Sequence, residues 1–191
     1  MKTWDGTRWV NPVTVSRAID PSKLSRDGMC SVAQLSEHNL LCVVESVQTE
    51  APFRGCLRMI TSSDGGAHWS WSAVERKIVY APTNGDLNAL APWMIKRANG
   101  DLLVVFTTEE DRSQPGEAST GVLFMDVKYL ISKDSGTSWT RPGGSGNVIE
   151  YYTNPPVSGV YFPGVTEVSP GKILVQYMKK RQHRCKGGLY P

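Results

Sequence analysis

Short apolar runs recur behind tight turns along this chain. Leu40-Leu41-Cys42-Val43-Val44, Leu102-Leu103-Val104-Val105-Phe106 and Ile173-Leu174-Val175-Gln176-Tyr177 follow Glu37-His38-Asn39, Asn99-Gly100-Asp101 and Pro170-Gly171-Lys172. Turn residues between two apolar segments mark hairpins, so a strand is predicted before each run, at 29–35, 93–97 and 160–168. Pro92 and Pro163 each stand ten residues ahead of their run. Proline at the first residue of a strand removes no donor from the ladder, which is the place expected for both. No segment shows the apolar period of an amphipathic helix. The pattern predicts an all-β chain.

A second repeat interleaves with the first. Ser62-Ser63-Asp64-Gly65-Gly66-Ala67-His68-Trp69 and Ser132-Lys133-Asp134-Ser135-Gly136-Thr137-Ser138-Trp139 share the pattern Ser-x-Asp-x-Gly-x-x-Trp, with their tryptophans 70 residues apart. Each follows an alternating apolar run, at 57–60 and 125–131, and precedes a short strand-like segment, at 76–80 and 147–151. The unit is therefore four antiparallel strands, and such units in series predict a β-propeller. The chemistry of the turn is structural. An Asp carboxylate accepts backbone N–H groups of its own turn, glycine takes positive φ, and tryptophan folds back as an apolar plug between blades.

This spacing gives blades at 28–80 and 91–151, the start of another at 160–178, and an irregular basic tail at 179–191. Trp4-Asp5-Gly6-Thr7-Arg8-Trp9 reads as a worn copy of the turn or the outer strand of a preceding blade. About two complete blades plus parts of two more are expected. Such a partial propeller leaves sheet edges open, so missing blades or self-association would complete the ring.

Composition narrows the function classes. The 191 residues carry a net charge of +3 with no basic block, which argues against nucleic acid as the main partner. The apolar runs fall far short of the roughly 20 residues a bilayer requires, so no membrane partner is expected. The N-terminus has no apolar signal stretch. Cys30, Cys42, Cys56 and Cys185 match no zinc spacing, and the histidines at 38, 68 and 183 are scattered, so neither a metal nor another cofactor is expected.

The two turns are those of the Asp-box, or bacterial neuraminidase repeat, and the chain resembles the sialidase-like β-propeller superfamily. That resemblance implies a six-bladed parent and, because members are usually exported, an extracellular location. Within it, the stretch from Ser25-Arg26-Asp27-Gly28-Met29 to Val44-Glu45 is similar to exo-arabinanase-type glycoside hydrolases. The resemblance implies that Glu45 is the catalytic nucleophile, with the acid/base carboxyl outside this chain, and that Arg26 belongs to the same motif. The Arg-Ile-Pro motif of true sialidases is absent, which speaks against sialic acid.

Propeller geometry sorts the connections independently of family. Loops after outer and second strands share one face, at 15–27, 45–55, 82–90, 107–124 and 154–159, and these are the longer and more acidic. Glycoside hydrolysis needs two carboxyl groups about 5–5.5 Å apart for retention or roughly 6.5–9.5 Å for inversion. Glu45 fits that need at the end of a second strand; it could equally be a solvated loop carboxylate. Glu109-Glu110-Asp111 takes the corresponding place in the next blade, where Glu110 and Asp111 either accept sugar hydroxyls or form a solvated charge run. Arg26 orients Glu45, clamps a ligand carboxylate or pairs with Asp27. Trp93 and Tyr161 stack on sugar rings or fill the blade packing. The function expected is an exo-acting glycosidase with a glycan ligand; the alternative is a non-catalytic Asp-box propeller binding glycans or proteins.

Overall fold

The computed structural model describes residues 1–16, 28–47, 54–71, 77–82, 86–111, 123–140, 148–150 and 160–179. Among the described residues are twelve strands: β1 (Thr3–Trp4), β2 (Trp9–Val10), β3 (Gly28–Gln34), β4 (Leu40–Val47), β5 (Gly55–Ser62), β6 (Lys77–Tyr80), β7 (Asp86–Lys96), β8 (Leu102–Asp111), β9 (Leu123–Ser132), β10 (Val148–Glu150), β11 (Val160–Ser169) and β12 (Lys172–Lys179). All neighbouring pairs are antiparallel. β3-β4-β5-β6 and β7-β8-β9-β10 form two four-stranded blades, β11-β12 opens a third, and β1-β2 stand apart as a hairpin. The fold is a section of a β-propeller, as the repeat predicts. The tail beyond 179 lies outside the described residues.

The blades pack face to face because alternate residues of each second strand point to opposite sides. Leu41 and Val43 on β4 and Leu57 and Met59 on β5 meet Leu102, Val104 and Phe106 on β8 in one buried cluster. Cys42, Val44 and Ile60 face the other way, where Val13 and Val15 of the N-terminal segment lie across them. On the far side of the second blade, Leu103 and Val105 meet Val165, with Ile173 and Val175 beside them. The inner strands β3, β7 and β11 are neighbours. Ser31 Oγ accepts the Met94 N–H at 2.9 Å, joining the first two of them.

The two Ser-Asp-Gly-Trp turns have matching wiring. Ser62 Oγ donates to Asp64 Oδ1 at 2.8 Å and accepts the Gly66 N–H at 2.9 Å; Ser132 does the same to Asp134 and Gly136, both at 2.8 Å. The Asp64 carboxylate accepts the His68 N–H, and that of Asp134 accepts the Ser138 N–H. Trp69 and Trp139 each donate their indole N–H to the carbonyl of the turn glycine, at 3.0 and 3.1 Å. Trp69 joins the cluster under the N-terminal segment, and Trp139 packs against the cluster between the two blades. Asp5 makes a smaller turn, accepting the N–H groups of Thr7 and Arg8 and the Thr7 hydroxyl. It fits a hairpin end rather than a third copy of the repeat.

These bonds make part of the stability pH-dependent. The Ser138 hydroxyl first, then the Ser138 N–H and the Ser132 hydroxyl, lower Asp134 from 3.8 to about 2, and Asp64 is lowered too, chiefly by the His68 N–H. A folded pKa below the unfolded one stabilises above the unfolded value, and that contribution is lost as pH falls through the folded value. Between about pH 4 and pH 2 the urea midpoint of the wild type should therefore fall more steeply than that of Asp134→Asn. Parallel acid limbs for the two proteins would remove Asp134 from the account.

Two strand limits and the places of two prolines differ from the sequence pattern. Pro92 and Pro163 lie inside β7 and β11, not at their starts. They are tolerated because the register shifts there, between Leu90 and Trp93 and between Tyr161 and Gly164, and a bulge leaves its extra residue out of the ladder. The 107–124 connection is shorter than expected, since β8 continues to Asp111, which pairs with Leu123. Likewise β7 begins at Asp86, within the expected 82–90 loop.

Candidate functional site

The bulges recur at one register position in all three blades. Gly28 pairs with Glu45, Leu90 with Thr107 and Tyr161 with Met178; the next residue in each case, Met29, Ala91 or Phe162, has left-handed φ of 34°, 50° or 50°. The ladder resumes at Cys30 opposite Val44, Trp93 opposite Val105 and Gly164 opposite Gln176. A side chain after a bulge is re-aimed relative to the regular pleat. Here the three re-aimed segments converge. Met29, Cys30, Ala91, Pro92, Trp93, Phe162, Pro163, Gly164 and Gln176 line one groove of about 290 Å³ along the inner strands. Met29, Trp93 and Phe162 are half exposed within it.

This groove lies at the inner edge, where the three first strands meet, away from the Ser-Asp-Gly-Trp turns. A larger cavity of about 560 Å³ sits at those turns, among Ser36, Asn39, Asp64, His68 and Ser135. Ser36, Asn39, Asp64 and His68 are engaged there in hairpin and turn bonds, so the cavity belongs to the scaffold. A third hollow of about 420 Å³ separates the N-terminal segment from the β3–β5 face.

Glu45 sits on β4 at the rim opposite Asp64 and Asp134, since Leu40 pairs with Ser62 at one end of the strand and Val47 with Gly55 at the other. It shares a strand face with Leu41 and Val43 and is only 2% exposed. Its Oε2 accepts the Ala91 N–H at 2.9 Å, so the carboxylate reaches the neighbouring blade at its bulge. Glu45 is absent from the lining of the groove.

The second-blade acidic run is not at the equivalent position. Counting from the Ser62 and Ser132 pairs, Glu45 corresponds to Thr107, a buried residue, and the acids come two to four residues later. Glu109 Oε2 accepts a hydrogen bond from Asn88 Nδ2 at 2.6 Å, while Asn88 Oδ1 accepts the Gly55 N–H at 2.7 Å. This makes Glu109 and Asn88 a second link between blades. Glu110 and Asp111 are paired in the β8–β9 ladder and Tyr161 in β11, but their side chains lie outside the described residues, as do Arg26 and Asp27 entirely. Of the expected ligand-facing residues, the groove holds Trp93.

Sequence reasoning missed Met29, Cys30, Phe162 and Gln176. The available signal was a proline directly after residues 91 and 162, which reads as a bulge once two such positions align. A hydrogen bond with Cys42 lowers the thiol of Cys30, one of the lining residues, to about 6. Among the described residues, no group of three or more His, Cys, Asp or Glu side chains could hold a metal ion.

No family model and no curated protein matches this sequence. Solved structures do. The Hadza microbial sialidase Hz136 matches over 90% of this chain and 33% of its own, with TM-score 0.63 and 17% identity. The GH93 alpha-L-arabinofuranosidase of Fusarium graminearum, solved with arabinobiose, matches over 86% of this chain and 44% of its own, at TM-score 0.56 and 18% identity. A protein of unknown function from Dyadobacter fermentans matches over 85% and 53%, at TM-score 0.51 and 15% identity. The chain thus spans a third to about half the length of these proteins. The likeness gives the fold: a section of a sialidase-like propeller.

Proposed function

We propose that this chain is part of a glycoside hydrolase acting on glycan chain ends, and that its inner-strand groove is a wall of the glycan site. The observation that carries this reading is the convergence of three left-handed bulges on one groove, with Trp93 52% exposed in it. An aromatic face beside a concave wall suits the apolar face of a sugar ring. Two of the structural neighbours, a sialidase and an arabinofuranosidase, support a glycan as the ligand class.

Glu45 as nucleophile would need its carboxylate open to that groove. Burial and the Ala91 bond instead support a role in holding the wall, with the reacting carboxyl pair supplied from other parts of the ring. The non-catalytic reading, an Asp-box propeller that binds glycans without cleaving them, rests on the same groove.

Hydrolysis of aryl α-L-arabinofuranosides and aryl sialosides by the full-length gene product, with calorimetric titration of arabino-oligosaccharides, tests the proposal. Trp93→Ala should weaken binding about tenfold or more. Because Trp93 is exposed, the melting temperature should move by no more than about 2 °C. Binding without turnover selects the non-catalytic reading. Binding that ignores Trp93→Ala removes the groove from the site.

A further inference from the structure

We infer that Glu45 is a positioning residue: its carboxylate pins the left-handed bulge of the neighbouring blade and so sets how Trp93 faces the groove. This rests on the glycan-site reading given above and names a device within that site.

The bulge at Ala91 needs support for two reasons. A Cβ-bearing residue at φ 50° occupies a sparsely populated region and persists only where its surroundings hold it. The bulge also takes its own donor out of the ladder: Leu90 pairs with Thr107 and Trp93 with Val105, leaving Ala91 and Pro92 opposite Phe106 alone. Ala91 is 8% exposed, so water is a poor substitute partner, and a buried N–H left unmade is costly. Glu45 Oε2 meets it at 2.9 Å from the other sheet.

The repeat shows what the position requires. The residue at the Glu45 place in the next blade is Thr107, 1% exposed, which offers a hydroxyl oxygen and no ionised carboxylate. In the third blade the place is Met178. A buried oxygen acceptor occurs in both complete blades; a carboxylate occurs in one. The consequence for the groove lies two residues on. The extra residue at the bulge decides to which side of β7 Trp93 projects, because a slip of one position exchanges the faces of a strand.

The test compares Glu45→Gln and Glu45→Ala in the full-length protein. Hydrogen–deuterium exchange is read at the Ala91 amide, alongside turnover and glycan affinity. Glutamine keeps an oxygen that can accept the N–H, so exchange at Ala91 should stay as slow as in the wild type, and kcat should remain within about tenfold. Alanine removes the acceptor, so exchange at Ala91 should quicken by at least about tenfold, and glycan affinity should fall as Trp93→Ala makes it fall.

Two results overturn the inference. One is Glu45→Gln abolishing turnover, by about a thousandfold or more, with the Ala91 amide still protected: that is the signature of a nucleophile. Another is Glu45→Ala leaving Ala91 exchange unchanged. Because the first of these uses only Glu45→Gln, it decides the matter even where the alanine variant does not fold. Exchange at Ala91 needs no glycan, so a protein inactive on every aryl glycoside would sink the proposed function and leave this test intact.

Discussion

Phe106→Ala is expected to destabilise the protein by about 3–5 kcal/mol, the range for emptying a fully buried aromatic site. Phe106 is 0% exposed and lies in the cluster shared by the first and second blades. Its ring meets that of Tyr80, on the outer strand of the other blade, at 4.9 Å between centroids and 51° between planes. Such tilted contacts add to the burial of area. The residues around it are side chains of strands held in hydrogen-bonded ladders, so the cavity closes poorly by local collapse. For a chain of this length the loss corresponds to a fall of roughly 6–20 °C in melting temperature. Thermal unfolding followed by near-ultraviolet circular dichroism reads it directly. A fall under about 2 °C would mean that the blade interface contributes far less than its burial implies.

The fold was legible because the repeat writes it in local chemistry. Ser62, Asp64, Gly66 and Trp69 satisfy one another within eight residues, and Ser132, Asp134, Gly136 and Trp139 do so again. Nothing distant is needed to recognise them. The apolar runs at 40–44 and 102–106 read as buried strands because residues on both faces are covered: 102–106 by the blade on either side, 40–44 by the second blade and by the N-terminal segment.

The site was legible only in part, because its geometry depends on partners far along the chain. Left-handed backbone at Met29, Ala91 and Phe162 carries no glycine to announce it. The bond between Glu45 and Ala91 spans 46 residues, so a carboxylate at a strand end reads as solvated until the next blade is placed beside it. Glu109 misled in another way. A run of acids resembles a loop, yet β8 continues through it, because Thr107 and Thr108 are buried in the ladder and Asn88 takes up Glu109. Trp93 stood out as an aromatic on an inner strand, and the structure leaves it half exposed in the groove rather than filling the blade packing.

Gly136→Ala should be destabilising by about 2–5 kcal/mol, although it adds only one methyl group. Two costs combine. Gly136 has φ 90°, where an L side chain is disfavoured by roughly 1–2 kcal/mol. Its new Cβ would stand 2.4 Å from Leu41 Cδ1, and Leu41 is fully buried in the interface cluster, so it has little room to retreat. Overpacking of that kind costs about 1–3 kcal/mol. Gly100 separates the two. It has nearly the same backbone, φ 91°, with nothing within 4 Å of its Cβ, so Gly100→Ala should show the conformational cost alone. Leu41→Ala places the steric part: in the double variant with Gly136→Ala, the two losses should add to less than their sum, by about 1 kcal/mol or more. Chemical denaturation of the four variants measures all of this. Strict additivity, or equal losses for Gly100→Ala and Gly136→Ala, would mean that the turn glycine serves its own loop and not the seating of one blade on the next.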